Sequence, residues 1–484
     1  MSILVIDAGT SGVRAALVDA DARIVSEVHR PTLPDSPMPG LVEFDATAYV
    51  HAALDCAREV LADDNASAGP VLGVGISNQR ASTVVWDRAT GEPIAPALGW
   101  QDLRTVGDCL VLNAEGFRLA PNLSATKVSH LLDTHDPDRR RDLCFGTLDS
   151  WLVWHLTEGA QHVSDLSNAA IWGLLEPGVS GYDRSLLERL RIPESMLPRI
   201  VDSTGHVGDA TALPGSPPIC GLAGDQQSSL VGQACVEPGM AKITFGTGGM
   251  MDVCVGPERP SFATRGAGGT FPMVCWRQDG VATWGVEAVM LSAGTNVEWL
   301  RDDLGIIPDA ASSAEIAATV PDTEGVVYVP ALLGLGTPLW DYGARGALLG
   351  VTRGTTAAHV VRAVLEGVAQ RGADLVEAAE ADSALRLGAL RVDGGMSANP
   401  LFVQALADAT QRPVEVSPVL EATTLGAGFL AGLATGVWAS WDDLAATWRP
   451  SRTVEPATTT DRDRWRDAVN RSRAWFEDLS TLDF

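Results

Sequence analysis

The chain is poor in positive charge, in cysteine and in long apolar runs, and each shortage removes a class of function. Lys and Arg number 35 against 61 Asp and Glu, a formal net charge of -26. Such a surface repels polyanions, so a nucleic-acid role would need a local basic patch. The run Arg139-Arg140-Arg141 is too short for one and reads as a solvated helix end. The seven cysteines, at 56, 109, 144, 220, 235, 254 and 275, show no C-x-x-C spacing. They read as reduced thiols of a cytoplasmic protein. The apolar opening is cut off at Asp7, too early for a signal peptide, and no run is long enough to span a bilayer. Nor do the eight histidines gather as metal ligands.

What remains is the material of a large α/β protein. With 484 residues, 46% of them hydrophobic, the chain can fill two sizeable cores. Short β-rich runs at 2–7 and 14–18 flank a Gly/Thr/Ser turn, with 23–27 as a third strand. Residues 71–76 read as a buried strand and 82–86 as the next, while 49–61 and 148–156 have helical spacing. The Gly- and Pro-rich stretch 205–218 reads as loop. A second strand-turn-strand unit follows at 241–245, 246–249 and 250–255. Later, 357–381 is an alanine-rich helix, 390–392 leads into the turn Asp393-Gly394-Gly395, and 400–410 is helical. The Glu237-Pro238-Gly239 turn divides two similar halves, 1–239 and 240–484, each offering a Gly/Thr hairpin to a shared cleft.

The chemistry concentrates at those hairpins. In Asp7-Ala8-Gly9-Thr10-Ser11-Gly12-Val13-Arg14, glycine permits close backbone approach to a polyphosphate and the hydroxyls add donors. Asp7 could hold Mg²⁺, a hard cation that takes carboxylate and phosphate oxygen together. Phe245-Gly246-Thr247-Gly248-Gly249 is the partner turn, nearly all backbone and hydroxyl. Asp393-Gly394-Gly395 with Asn399 adds a helix start suited to an anion or purine edge. Each turn alone is equally an ordinary hairpin; three in matched settings point to a nucleotide. None is a P-loop, since no Gly-Lys-Ser/Thr follows. Asp225, in Gly224-Asp225-Gln226-Gln227, is either a helix cap or a base for phosphoryl transfer. Asn78-Gln79-Arg80, Trp100-Gln101-Asp102 and the stretch from Asn122 to Lys127 place polar groups among apolar ones, as a polyol pocket requires.

Together these motifs resemble the FGGY carbohydrate kinases, and within that family the glycerol kinases. The resemblance runs over nearly the whole chain. It adds Thr83-Val84-Val85-Trp86-Asp87, Gly146-Thr147-Leu148-Asp149-Ser150-Trp151, Val329-Pro330-Ala331 with Gly334-Leu335-Gly336, and the stretch from Gly346 through His359 to Glu366. It implies the two-domain actin-like ATPase (ribonuclease H-like) fold, α/β, with a central cleft, and ATP and Mg²⁺ as cofactors. It further implies Asp225 as base and Asp7 near the metal. Thr10, Ser11, Arg14, Gly246 and Thr247 would surround the ATP phosphates, and Gly336, Gly395 and Asn399 the nucleotide. Arg80, Trp100, Asp225 and Gln226 would hold the alcohol. The implied partners are ATP and a small polyol or sugar, with no nucleic acid and no membrane, and the resemblance is compatible with a homodimer.

Three positions depart from the glycerol kinase pattern and a fourth, His130, from the N-terminal signature of the family. Ala81 stands where a glutamate follows the Asn-Gln-Arg, Asn122 where a tyrosine is usual, Met250 where an aromatic follows the Gly-Thr-Gly turn, and His130 where a tryptophan is usual. The lost acceptor and the smaller side chains at 81 and 122 lead us to expect a longer polyol, such as erythritol, threitol or xylitol, or a small ketose. The rival reading is an actin-like ATPase switch or regulatory pseudokinase without a sugar substrate.

Overall fold

The computed structural model describes residues 1–63 and 69–483. Its frame is two mixed sheets built on the same local plan. In the first, β1 (Ser2–Ala8) and β2 (Gly12–Asp19) form an antiparallel hairpin extended by β3 (Ile24–Pro31). On its other side β1 pairs in parallel with β4 (Val71–Asn78). Next come β6 (Pro218–Gly224), parallel to β4, and β5 (Thr204–Asp209), antiparallel to β6, giving the order β5-β6-β4-β1-β2-β3. The second sheet repeats the hairpin with β7 (Ala241–Phe245) and β8 (Gly249–Gly256). Its other members are β9 (Phe271–Gln278), β10 (Val281–Met290), β11 (Leu390–Asp393), β12 (Val414–Val416) and β13 (Arg452–Val454), in the order β9-β10-β8-β7-β11-β12-β13. There β7 is antiparallel to β8 and parallel to β11, as β1 is to β2 and β4.

Strand β1 explains how the first sheet is covered. It is buried without interruption from Ser2 to Ile6, the mark of a strand sandwiched on both faces. Successive side chains point to opposite faces. Leu4 and Ile6 enter the core shared with α1 (Ala46–Leu61), a helix capped by the Asp45 carboxylate on the Thr47 and Ala48 amides. Ile3 and Val5 enter another core, with Ala427, Leu430 and Ala431 of α7 (Ala422–Thr435). That helix lies late in the chain yet packs on the first sheet.

Between these come α2 (Ala125–His135), α3 (Leu148–Leu156), α4 (Asp225–Gly232), α5 (Ala357–Ser383) and α6 (Pro400–Thr410). Helices α4 and α7 cross at backbone contact. A Cβ on Gly426 would sit 1.7 Å from Ser228 O, and one on Gly232 would sit 1.9 Å from Ala422 O. No larger residue fits either place, so this pair of glycines sets the position of α4 and hence of Asp225 at its start.

One expectation fails locally. Residues 204–209 form an edge strand inside the stretch expected to be loop. Thr204 and Val207 are both buried, and a register irregularity absorbs the misfit against β6. Pro218 occupies the first position of its strand, where a missing N–H is tolerated. Among the described residues all seven cysteines are unpaired and buried, no group of three or more His, Cys, Asp or Glu could hold a metal by itself, and no helix is long and apolar enough to cross a membrane.

Candidate active site

The first Gly/Thr turn joins β1 to β2. Gly9 N donates to Gly12 O at 3.0 Å, and the Tyr49 hydroxyl of α1 donates to Gly9 O, so the turn is fixed from below. Thr10 is half-buried and Ser11 exposed at its tip. Arg14 pairs with Glu27 at 2.7 Å and, across to the segment before α7, with Glu421 at 2.8 Å. Asp7 lies at the end of β1 with its carboxyl toward α7, where the Thr424 hydroxyl donates to it at 3.5 Å. Burial pushes its pKa up to about 7; the Asp225 and Glu421 carboxylates push the same way, while Arg14 and Thr424 oppose.

Asp225 opens α4. Its Oδ1 accepts the Gln226 amide at 2.8 Å and lies 3.5 Å from Arg80 Nε. Burial raises its pKa as well, held back chiefly by Arg80 and the Gln226 amide. Arg80 follows β4 and reaches the second sheet, where its guanidinium meets Glu287 of β10 at 2.7 Å. Glu287 stands opposite Asp252 of β8, and Asp252 opposite Lys242 of β7. The fully buried Lys242 ammonium bonds Asp252 at 2.8 Å, Gln226 Oε1 at 2.7 Å and Thr244 at 3.1 Å. With its oxygen taken by Lys242, the Gln226 amide is left to present its NH₂ as a donor. Trp100, 38% exposed, donates its indole N–H to Thr10 Oγ1 at 3.3 Å, and its carbonyl accepts Lys127 Nζ at 3.1 Å. The loop that carries Trp100 is thereby tied to the first glycine turn.

The second turn leans on the third. A Cβ on Gly394 would lie 2.4 Å from Phe245 O, so the two turns are pressed together, and Gly294 N donates to Gly246 O at 2.8 Å. Gly246 and Gly395 both look into open space, while Thr247 is exposed. These positions suit a ligand passing close to main chain. Two others have a packing reason of their own. Gly336 is buried with Val289 O 2.3 Å from where a Cβ would be. Asn399 caps α6, its Oδ1 accepting the Phe402 amide at 3.0 Å and its Nδ2 donating to Ser313.

Of the departing positions, Ala81 is 2% exposed in the left-handed region at φ 59°, its carbonyl bonded by Ser124 and Thr83. Met250 is half-buried on β8, on the same face as Asp252. Asn122 is exposed in the turn before α2, and no hydrogen bond or ion pair joins it to the cluster among the described residues. Sequence reading missed Lys242, Asp252, Glu287 and Glu421. A lysine, aspartate and glutamate inside apolar strands were the available signal, because buried charges are rare unless paired.

Asp7 and Asp225, each with its pKa raised and the Asp225 charge raising that of Asp7, form a site that calls for positive charge. That donor set fits Mg²⁺, which takes one or two carboxylates and fills its shell with water and phosphate oxygens.

The same plan occurs in known proteins. Residues 2–232 match the N-terminal domain of the FGGY family of carbohydrate kinases and residues 241–435 its C-terminal domain. The glycerol kinase of Aromatoleum aromaticum is 42% identical over 495 residues, covering 98% of this chain and 99% of that protein. The glycerol kinase of Trichlorobacter lovleyi is 43% identical with the same coverage. Among solved structures, Plasmodium falciparum glycerol kinase with ADP superposes with TM-score 0.90 at 28% identity, covering 97% of this chain and 98% of that one. A xylulose kinase from Brucella ovis shares the fold with TM-score 0.86 at 24% identity, covering both chains completely.

Proposed function

This chain belongs to the FGGY family of carbohydrate kinases, and from that premise we propose that it phosphorylates a terminal hydroxyl of a polyol longer than glycerol, or of a small ketose, with Asp225 as the base. The coarser activity, ATP- and Mg²⁺-dependent phosphorylation of a sugar or polyol, is that of the family. The observation that carries the assignment of the base is the place of Asp225. It is half-buried at a helix start, with its Oδ1 3.5 Å from Arg80 and its charge felt by Asp7.

Arg80 and the Gln226 NH₂ hold the alcohol oxygens, and Trp100 lies along the carbons. The terminal oxygen attacks the γ-phosphorus in line, its proton passes to Asp225, and the bond to the β–γ bridging oxygen breaks to release ADP. A raised pKa makes the ionised Asp225 a stronger proton acceptor. Thr10, Ser11, Gly246 and Thr247 supply donors to the phosphates, and Arg14 turns from Glu421 toward them. Asp7 would help hold Mg²⁺, whose chemistry there would be to neutralise phosphate charge.

Ala81, Asn122 and Met250 support the longer alcohol, since each is smaller or more pliable than its glycerol kinase counterpart. Glycerol itself is the second reading. It is favoured by the relatives' identity and by Glu287, which returns a carboxylate to Arg80 where Ala81 gives none. ADP release from Mg-ATP across glycerol, tetritols, pentitols and ketopentoses decides between them, with Asp225→Asn as control. The proposal expects highest kcat/KM on a longer acceptor and a loss of about 10²–10⁴-fold in the variant. A preference for glycerol sinks the longer-alcohol assignment. ADP release indifferent to every alcohol instead supports an ATPase switch.

A further inference from the structure

The Glu287 carboxylate is placed where the sequence motif leaves none. Its Oε2 lies 2.7 Å from the Arg80 guanidinium, which also reaches Asp225 at 3.5 Å. Thus one arginine from the first sheet joins the base to a glutamate from the second. Glu287 is 8% exposed, and Arg80 and Glu287 each keep 11% of their side-chain surface. Oε2 is buried and held to Arg80 Nη1 as an ion pair, neither atom having a well-directed hydrogen bond, and no described residue donates a hydrogen bond to Oε1. A buried glutamate with one oxygen pinned and the other free can accept from a hydroxyl. Its neighbours on the same sheet face cannot substitute for it. Asp252 is fully buried against Lys242, and Met250 and Val289 carry no charge.

We propose that Glu287, pinned to Arg80 by one oxygen, is a specificity-determining residue that accepts a hydrogen bond from a non-reacting hydroxyl of the alcohol, taking the acceptor's part that Ala81 leaves open. The inference rests on the kinase reading and deepens it. Because the carboxylate comes from the second sheet and its arginine from the first, the hydroxyl is read only when both sheets face the alcohol together. A substrate lacking that hydroxyl would leave Oε1 unpartnered beside a buried charge, and such a loss is punished far more heavily than a missing methylene.

The test compares the wild type with Glu287→Gln and Glu287→Asp in the full chain, using erythritol, threitol, glycerol and the corresponding butanetriols. Glu287→Gln is expected to raise the KM of the best alcohol on the order of 10- to 100-fold. The KM for ATP should stay unchanged, and Glu287→Asp should recover part of the loss. The decisive readout is the deoxy penalty. Removing the recognised hydroxyl should cost the wild type heavily in kcat/KM and the Glu287→Gln variant little. An equal penalty in both proteins, or an unchanged alcohol KM in a folded variant, overturns the inference while leaving the kinase reading intact. If Glu287→Gln does not fold, the same comparison is made with Glu287→Asp, where an undiminished penalty is the refuting result. A wild type that phosphorylates no alcohol overturns both.

Discussion

Replacing Asp7 by asparagine should stabilise the ligand-free protein at neutral pH while abolishing its turnover. The carboxyl is half-buried and its pKa is lifted from 3.8 to about 7. A folded state that binds the proton more tightly than the unfolded chain is penalised wherever the unfolded carboxyl is already ionised. The penalty is absent below about pH 4, grows as pH rises toward 7, and is constant above. Three units at about 1.4 kcal/mol each set its ceiling near 4 kcal/mol. The attraction to Arg14 and the repulsion from Asp225 and Glu421 are already contained in that ceiling, and relaxation of the half-buried site around the charge lowers it further. An increase of about 2–4 kcal/mol at pH 8 is therefore expected, worth on the order of 10 °C for a domain of this size. Denaturant midpoints in chelator, at pH 8 and pH 5, test the linkage: the advantage should fall to less than half at pH 5. Saturating Mg-ADP should then favour the wild type, whose carboxylate the bound charge stabilises. An Asp7→Asn protein no more stable than wild type at pH 8, or an advantage unchanged at pH 5, refutes the reasoning.

Other outcomes follow from the same geometry. The acid limb of kcat/KM should lie above the ordinary carboxylate range, because the base must be ionised and burial raises the pKa of Asp225; a plateau reaching down to pH 4 contradicts this. Lys242→Met leaves Asp252 buried without its cation and should cost about 3–5 kcal/mol by denaturant melt, whereas adding Asp252→Leu should restore most of it. Gly426→Ala drives a methyl into Ser228 O, so α4 must shift and both activity and melting temperature should drop; a fully active variant would show that the crossing does not position Asp225. Asn399→Ala should lose about 1 kcal/mol of helix capping with the KM for ATP unchanged if capping is its whole task, and a raised KM would place it in the nucleotide site.

Much of this was legible in the chain itself, because local rules sufficed. β7, α3 and α6 begin and end where patterning placed them, and the paired hairpins were announced by glycine and threonine between apolar runs. The span 205–218 misled because its glycines and prolines hid an edge strand, whose formation depends on a neighbour rather than on its own propensity.

The candidate base, its arginine and the three glycine turns stood in the sequence as motifs, since each needs particular residue types within a few positions. What only the folded molecule decided is who stands beside whom. Arg80 meets Glu287, Gln226 meets Lys242, and Thr424 meets Asp7, pairs separated by hundreds of residues or by the boundary between two sheets. The carboxylate missing at Ala81 could be judged lost from the sequence because no local rule counts a charge supplied by another strand. Partial burial then turned these encounters into chemistry: drawn partly out of water, Asp7 and Asp225 hold their protons more tightly than any reading of the motif would suggest.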